Sequence, residues 1–206
     1  MQAAIKYFWK SLWFVKNRTW QNLLWLFYKM TQGSFFKKIG ASVVFFGNPS
    51  FGSVEGNISL GNKSWIGRKS FFSCSKGGEI IIGDHCSINT GCHIVAIKGI
   101  NIGNSTRIGE YVSIRDQNHS FEDPNTPVFE QGFSASSIII HEDCWIGRGV
   151  FIGAGVTLGK GCVVGANSVI TKSFGPYSVI AGNPARLIRL RGDKLNPSSG
   201  AIHLPS

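Results

Sequence analysis

Of the five histidines in this sequence, His119 is placed where an imidazole could do acid–base work. It stands in the polar run Asp116-Gln117-Asn118-His119-Ser120-Phe121-Glu122-Asp123-Pro124, with carboxylates on both sides. A neutral imidazole near pH 7 can take a proton from a hydroxyl, provided a second group fixes its tautomer. Asp116 and Glu122 are the near candidates for that second group. His85, His93 and His141 fall at ordinary repeat or turn positions and His203 lies in the tail, so all four read as structural. The five cysteines show no CxxC spacing and are odd in number, which supports neither a zinc site nor a disulfide framework.

The elements that must position His119 announce themselves by period. Ile140, Ile146, Ile152, Leu158, Val164 and Ile170 are spaced by six without a gap, and Gly147, Gly153, Gly159 and Gly165 each follow one of them. The same spacing recurs in Ile82, Ile88 and Ile94, in Ile102, Ile108 and Ile114, and in Leu60, Ile66 and Phe72. A period of six fits neither a 3.6-residue helix nor a long alternating strand; it is a hexapeptide repeat. Each repeat is one short strand and a turn that cannot bury its apolar side chain alone, so the repeats must stack into a parallel β-helix. Cys86, Cys92, Cys144 and Cys162 all occupy the small position four residues after a repeat aliphatic and are expected inside the core. The repeat stops after Ile114 and resumes at Ile138 or Ile140. A polar insertion of that length in a regular solenoid is uncommon without a function.

The charge is uneven. Residues 1–54 hold seven basic side chains and no acid, whereas the rest is close to neutral, with 14 basic against 11 acidic residues. Ile5, Phe8, Trp9, Leu12 and Trp13 make one helical stripe and Trp20, Leu23, Leu24 and Phe27 another, with Lys6 and Lys10 off the first. Such an arm suits either packing on the body or contact with an anionic membrane. No apolar span reaches transmembrane length and no signal peptide is evident, so the expectation is a cytoplasmic protein whose residues 1–40 could rest on the inner membrane.

Beyond the repeats, the motifs Asn118-His119 with Asp123-Pro124, Trp145-Ile146-Gly147, Gly165-Ala166-Asn167-Ser168-Val169 and Ile180-Ala181-Gly182-Asn183-Pro184-Ala185 are distinctive. Together they resemble the hexapeptide-repeat acyltransferases, near the maltose, galactoside, nodulation-sugar and polysaccharide O-acetyltransferases. The resemblance covers roughly residues 55–190. It implies a left-handed β-helix, a homotrimer with each active site in a cleft between neighbouring chains, acetyl-CoA as donor, a sugar hydroxyl as acceptor, and no metal or nucleic acid. By the same resemblance the catalytic histidine is His119 and Asn89 contacts the acceptor. Trp145 lies beside the thioester arm, and Ala166, Thr171, Arg186 and Arg189 line the pantetheine and the nucleotide phosphates. Lys172 is a further cation for those phosphates, and Arg148 stands where the family often has a small residue. The organisation expected is a basic, aromatic-rich helical arm (1–45), an all-β solenoid (46–185) with an extruded loop (116–137), and a tail (186–206). The reaction expected is O-acetylation of a cell-surface polysaccharide or its precursor, O-antigen or capsule. N-acetylation of an amino sugar or small amine, and a non-catalytic scaffold recruited to a membrane, are the alternatives.

Overall fold

A computed structural model describes residues 35–193; the helical arm read in residues 1–45 lies outside the described residues as far as residue 34, as does the end of the tail. The six-residue period folds as one strand and one turn, and three such units close a triangular coil. The first coil is β1 (Lys38–Ile39), β2 (Val44–Phe45) and β3 (Ser50–Val54), and the second is β4 (Asn57–Leu60), β5 (Trp65–Ile66) and β6 (Phe71–Cys74). The third is β7 (Glu79–Ile82), β8 (Ser87–Ile88) and β9 (His93–Ala96), and the fourth is β10 (Ile100–Ile102), β11 (Arg107–Ile108) and β12 (Ser113–Arg115). After the loop come β15 (Ile138–Ile140), β16 (Trp145–Ile146) and β17 (Phe151–Ile152), then β18 (Thr157–Leu158), β19 (Val163–Val164) and β20 (Val169–Ile170). The first strands of all six coils pair in parallel as face A, the second as face B and the third as face C. A final hairpin, β21 (Ser178–Gly182) and β22 (Ala185–Leu190), extends face B. The fold is a left-handed parallel β-helix.

Register explains the stability. In-register pairing stacks Leu60, Ile82, Ile102, Ile140 and Leu158 on face A, Phe45, Ile66, Ile88, Ile108, Ile146, Val164 and Ile180 on face B, and Phe72, Ile94, Ile114, Ile152 and Ile170 on face C. Every one of these side chains is buried. Burying each aliphatic contributes roughly 1.5–3 kcal/mol, so the columns are the main stabilising term. All five cysteines are buried and free. Burial pushes the Cys74 and Cys92 thiols up to about 11, which leaves them protonated and chemically quiet.

The strands run past both ends of the span 46–185. Ile39, Phe45 and Phe51 are themselves six apart and belong to the first coil, and Arg186 to Leu190 form β22 rather than a loose tail.

Only one excursion leaves the stack among the described residues. It carries the antiparallel pair β13 (Gln117–His119) and β14 (Phe133–Ala135), joined through a 3-10 turn at Val128–Glu130. Its two ends meet: the Ser136 N–H donates to the Asp116 carbonyl at 2.8 Å, and the Ile138 N–H donates to Gly99 at 2.9 Å. The pairing of β10 with β15 therefore continues as though nothing had been inserted.

Candidate functional site

His119 closes the stem of this excursion. It faces Phe133 across β13 and β14, with ring centroids 4.2 Å apart, and it is exposed. The stem is rigid at its root because Asp116 is completely buried. Its carboxylate accepts three main-chain N–H bonds from the turn below, from Ile97 at 2.8 Å, Lys98 at 2.7 Å and Gly99 at 2.6 Å. That arrangement corrects one expectation. Asp116 spends its carboxylate on the coil beneath and does not orient the imidazole. No hydrogen bond from a described residue reaches the His119 ring, and Glu122 is exposed and unbonded. Asp123 instead organises the loop's own turn through Asn125 and Thr126, and the Thr126 hydroxyl holds its carboxyl below the usual range.

The other sequence-selected residues divide between two corners of the triangle. Thr171 and Lys172 follow β20 at the corner between faces C and A, the corner from which the His119 stem leaves two coils earlier. Both are exposed, and the Lys172 ammonium lies 5.7 Å from the centroid of Phe174. Asn89 follows β8 at the corner between faces B and C, and Ala166 follows β19 at that same corner. Asn89 is half-buried, with its carbonyl accepting from the Ser70 hydroxyl at 3.2 Å. Ala166 needs a glycine beneath it: a Cβ on Gly147 would come within 2.7 Å of the Ala166 nitrogen.

Trp145 projects from face B and is 59% exposed. It belongs to the outward column Arg107, Trp145, Val163, Val179 and Arg189, with successive strands about 4.8 Å apart. Arg189 thus caps the column that Trp145 occupies, and Arg186 sits beside it on β22. Each guanidinium makes only main-chain bonds nearby, Arg186 to Ala185 and Arg189 to Leu190, both at 3.0 Å, with a longer one from Arg189 to Asp193. An indole, a small-residue turn and two cations along one side could receive a long ligand ending in phosphates. The single chain does not bring His119 and Asn89 together, because they lie at different corners. Near Asn89 on the same corner stands Tyr111, whose ring reaches both Gly91 and Arg148. Its signal lay only in the coil-to-coil register, not in any local motif.

Among the described residues no three His, Cys, Asp or Glu side chains gather as metal ligands, and no helix is long and apolar enough to cross a membrane.

A triangular solenoid of six coils with one histidine-bearing excursion among the described residues defines a class of group-transfer proteins, and the comparisons agree. Residues 137–172 match the bacterial transferase hexapeptide (six repeats) family. Over 148 residues the chain is 33% identical to WbbJ of Escherichia coli, named as a lipopolysaccharide biosynthesis O-acetyl transferase, covering 68% of this chain and 76% of that protein. It is 37% identical over 118 residues to nodulation protein L of Rhizobium meliloti, covering 56% of this chain and 62% of that one. A hexapeptide-repeat acetyltransferase from Vibrio cholerae, solved with acetyl-CoA, is 26% identical with a TM-score of 0.55, over 79% of this chain and 75% of its own. A variant of the N-acyltransferase AntD from Bacillus cereus, solved with dTDP-4-amino-4,6-dideoxyglucose and CoA, shares the fold at a TM-score of 0.69 and 22% identity, over 81% of this chain and 90% of its own. The chain belongs to the hexapeptide-repeat acetyltransferases.

Proposed function

We propose that this acetyltransferase moves the acetyl group of acetyl-CoA directly onto a sugar hydroxyl of a cell-surface polysaccharide or its precursor, with His119 as general base. The observation that carries the reading is the placement of His119, exposed on a pinned stem at the one break in the stack of described coils. The acceptor class rests on the likeness to WbbJ. In this reading His119 takes the hydroxyl proton as the oxygen attacks the thioester carbonyl. Collapse of the tetrahedral intermediate breaks the C–S bond, and the imidazolium returns the proton to the departing sulfur. Trp145, Ala166, Thr171, Lys172, Arg186 and Arg189 would hold the donor and Asn89 the acceptor.

Because His119 and Asn89 occupy different corners, a complete site takes the loop corner of one chain and the Asn89 corner of a neighbour, as in a homotrimer. Replacing His119 with Ala should lower transfer by about 10²–10⁴-fold, while calorimetry finds CoA affinity unchanged. Retained turnover would rule out the histidine's role. The basic arm, with five cations and no acid in residues 1–34, would hold the protein at an anionic inner-membrane surface. Removing residues 1–34 should abolish co-sedimentation with phosphatidylserine vesicles, and unchanged sedimentation would count against the membrane role.

A further inference from the structure

Tyr111 and Arg148 form a pair that the proposed chemistry leaves unused. Tyr111 sits at the face B–C corner of the fourth coil with a left-handed backbone (φ 58°) and is 58% exposed. Its ring lies against Gly91, two residues beyond Asn89. A Cβ on Gly91 would stand 2.6 Å from the ring's Cδ1, so only glycine leaves the ring its seat. The Arg148 guanidinium, one coil further on at the same corner, lies 5.6 Å from the centroid of that ring. Arg148 is exposed, and no carboxylate pairs with it. All 11 acidic side chains of the sequence fall within the described residues, and none of them comes within ion-pair distance of it.

A second tyrosine is seated on a glycine in the same way, near another arginine. Tyr177 (φ 61°) lies on Gly161, where a Cβ would come within 2.6 Å of its Cδ1, and Arg191 approaches that glycine. There the guanidinium is paired with Asp143 at 2.9 Å. Arg191 thus meets a carboxylate of the chain, whereas Arg148 has none within ion-pair distance. A guanidinium steadied by an aromatic face loses little freedom on binding, and its planar fork suits a carboxylate or phosphate.

We propose that Arg148, seated on Tyr111, binds an anionic oxygen group, carboxylate or phosphate, of a bound substrate. The site lies two coils, about 10 Å, from Asn89 and one coil, about 5 Å, from Ala166. Resting on the acetyltransferase reading, the inference narrows the ligand. Either the acceptor is an acidic or phosphorylated saccharide, or the group belongs to a phosphate of the donor.

The test compares wild type with Arg148→Gln in two arms. Calorimetry gives CoA affinity. With CoA bound, affinities are then measured for a glucuronate-containing disaccharide and for glucose 6-phosphate, each against its uncharged counterpart. Loss of a charged-over-neutral preference by about ten- to hundredfold, with CoA affinity unchanged, places the anion on the acceptor. A similar loss of CoA affinity alone places it on the donor. Tyr111→Phe, which keeps the ring, should match wild type in both arms, and Tyr111→Ala should move toward Arg148→Gln. Identical CoA affinities and identical preferences in wild type and Arg148→Gln overturn the proposal. A wild-type protein that binds no CoA would instead sink the donor reading, a separate failure.

Discussion

At the scale of single residues, the buried Asp116 carries more of the site's geometry than any group that could touch a substrate. A carboxylate removed from water is tolerable only when its lone pairs are met, and three main-chain N–H groups meet them here. They come from the turn of the third coil, while His119 lies three residues further along the chain. Asp116 therefore ties the stem that carries His119 to the solenoid without making a hydrogen bond to the imidazole. Asp116→Asn offers one acceptor and one donor where three donors converge, so at least one N–H faces an amide hydrogen. The expected cost is about 2–4 kcal/mol in urea unfolding. In a protein still folded, kcat should fall while the KM for acetyl-CoA holds. An unchanged unfolding midpoint would show that the three bonds contribute nothing.

At the scale of elements, the hexapeptide period was legible wherever an aliphatic filled the inward position and a glycine followed it. It failed for physical reasons at both ends. In the first coil Phe45 and Phe51 stand in for isoleucine, so the period goes unmarked there and Ile39 and Phe45 read as part of an aromatic arm. Beyond Ile170 the next buried aliphatic on face B is Ile180, ten positions on, because the turn through Phe174 and Tyr177 interrupts the period before the final hairpin. Inside the loop, Gln117-Asn118-His119 has no apolar alternation to mark a strand. Its pairing with β14 follows from closure of the loop ends at Asp116 and Ser136 rather than from propensity. Candidate residues carried by motifs, Trp145 and Ala166, stand out in the sequence. Tyr111 does not, because it meets Gly91 and Arg148 only once neighbouring coils are in register. The role of Asp116 was open to misreading for a related reason: proximity along the chain to His119 suggests a partner, whereas the fold directs the carboxylate downward.

At the scale of the whole molecule, the division of the candidate residues between two corners has a consequence that mixing can expose. Within one chain, faces B and C meet at Asn89, while His119 leaves from the corner of faces C and A. If the working site combines His119 of one chain with Asn89 of the next, two inactive variants should rescue one another. His119→Ala chains still carry Asn89, and Asn89→Ala chains still carry His119. Unfolded together in equal amounts and refolded, they would assemble at random in a cyclic trimer. A site is then intact when an Asn89→Ala chain donates the loop and a His119→Ala chain receives it, which is roughly a quarter of all sites. Transfer assayed as CoA thiol release should therefore recover to about a quarter of the wild-type rate, against almost none for either variant alone. If both residues served a site within one chain, no mixed assembly could contain an intact site. Activity would then stay at the level of the single variants, and the shared-site reading would have to be abandoned.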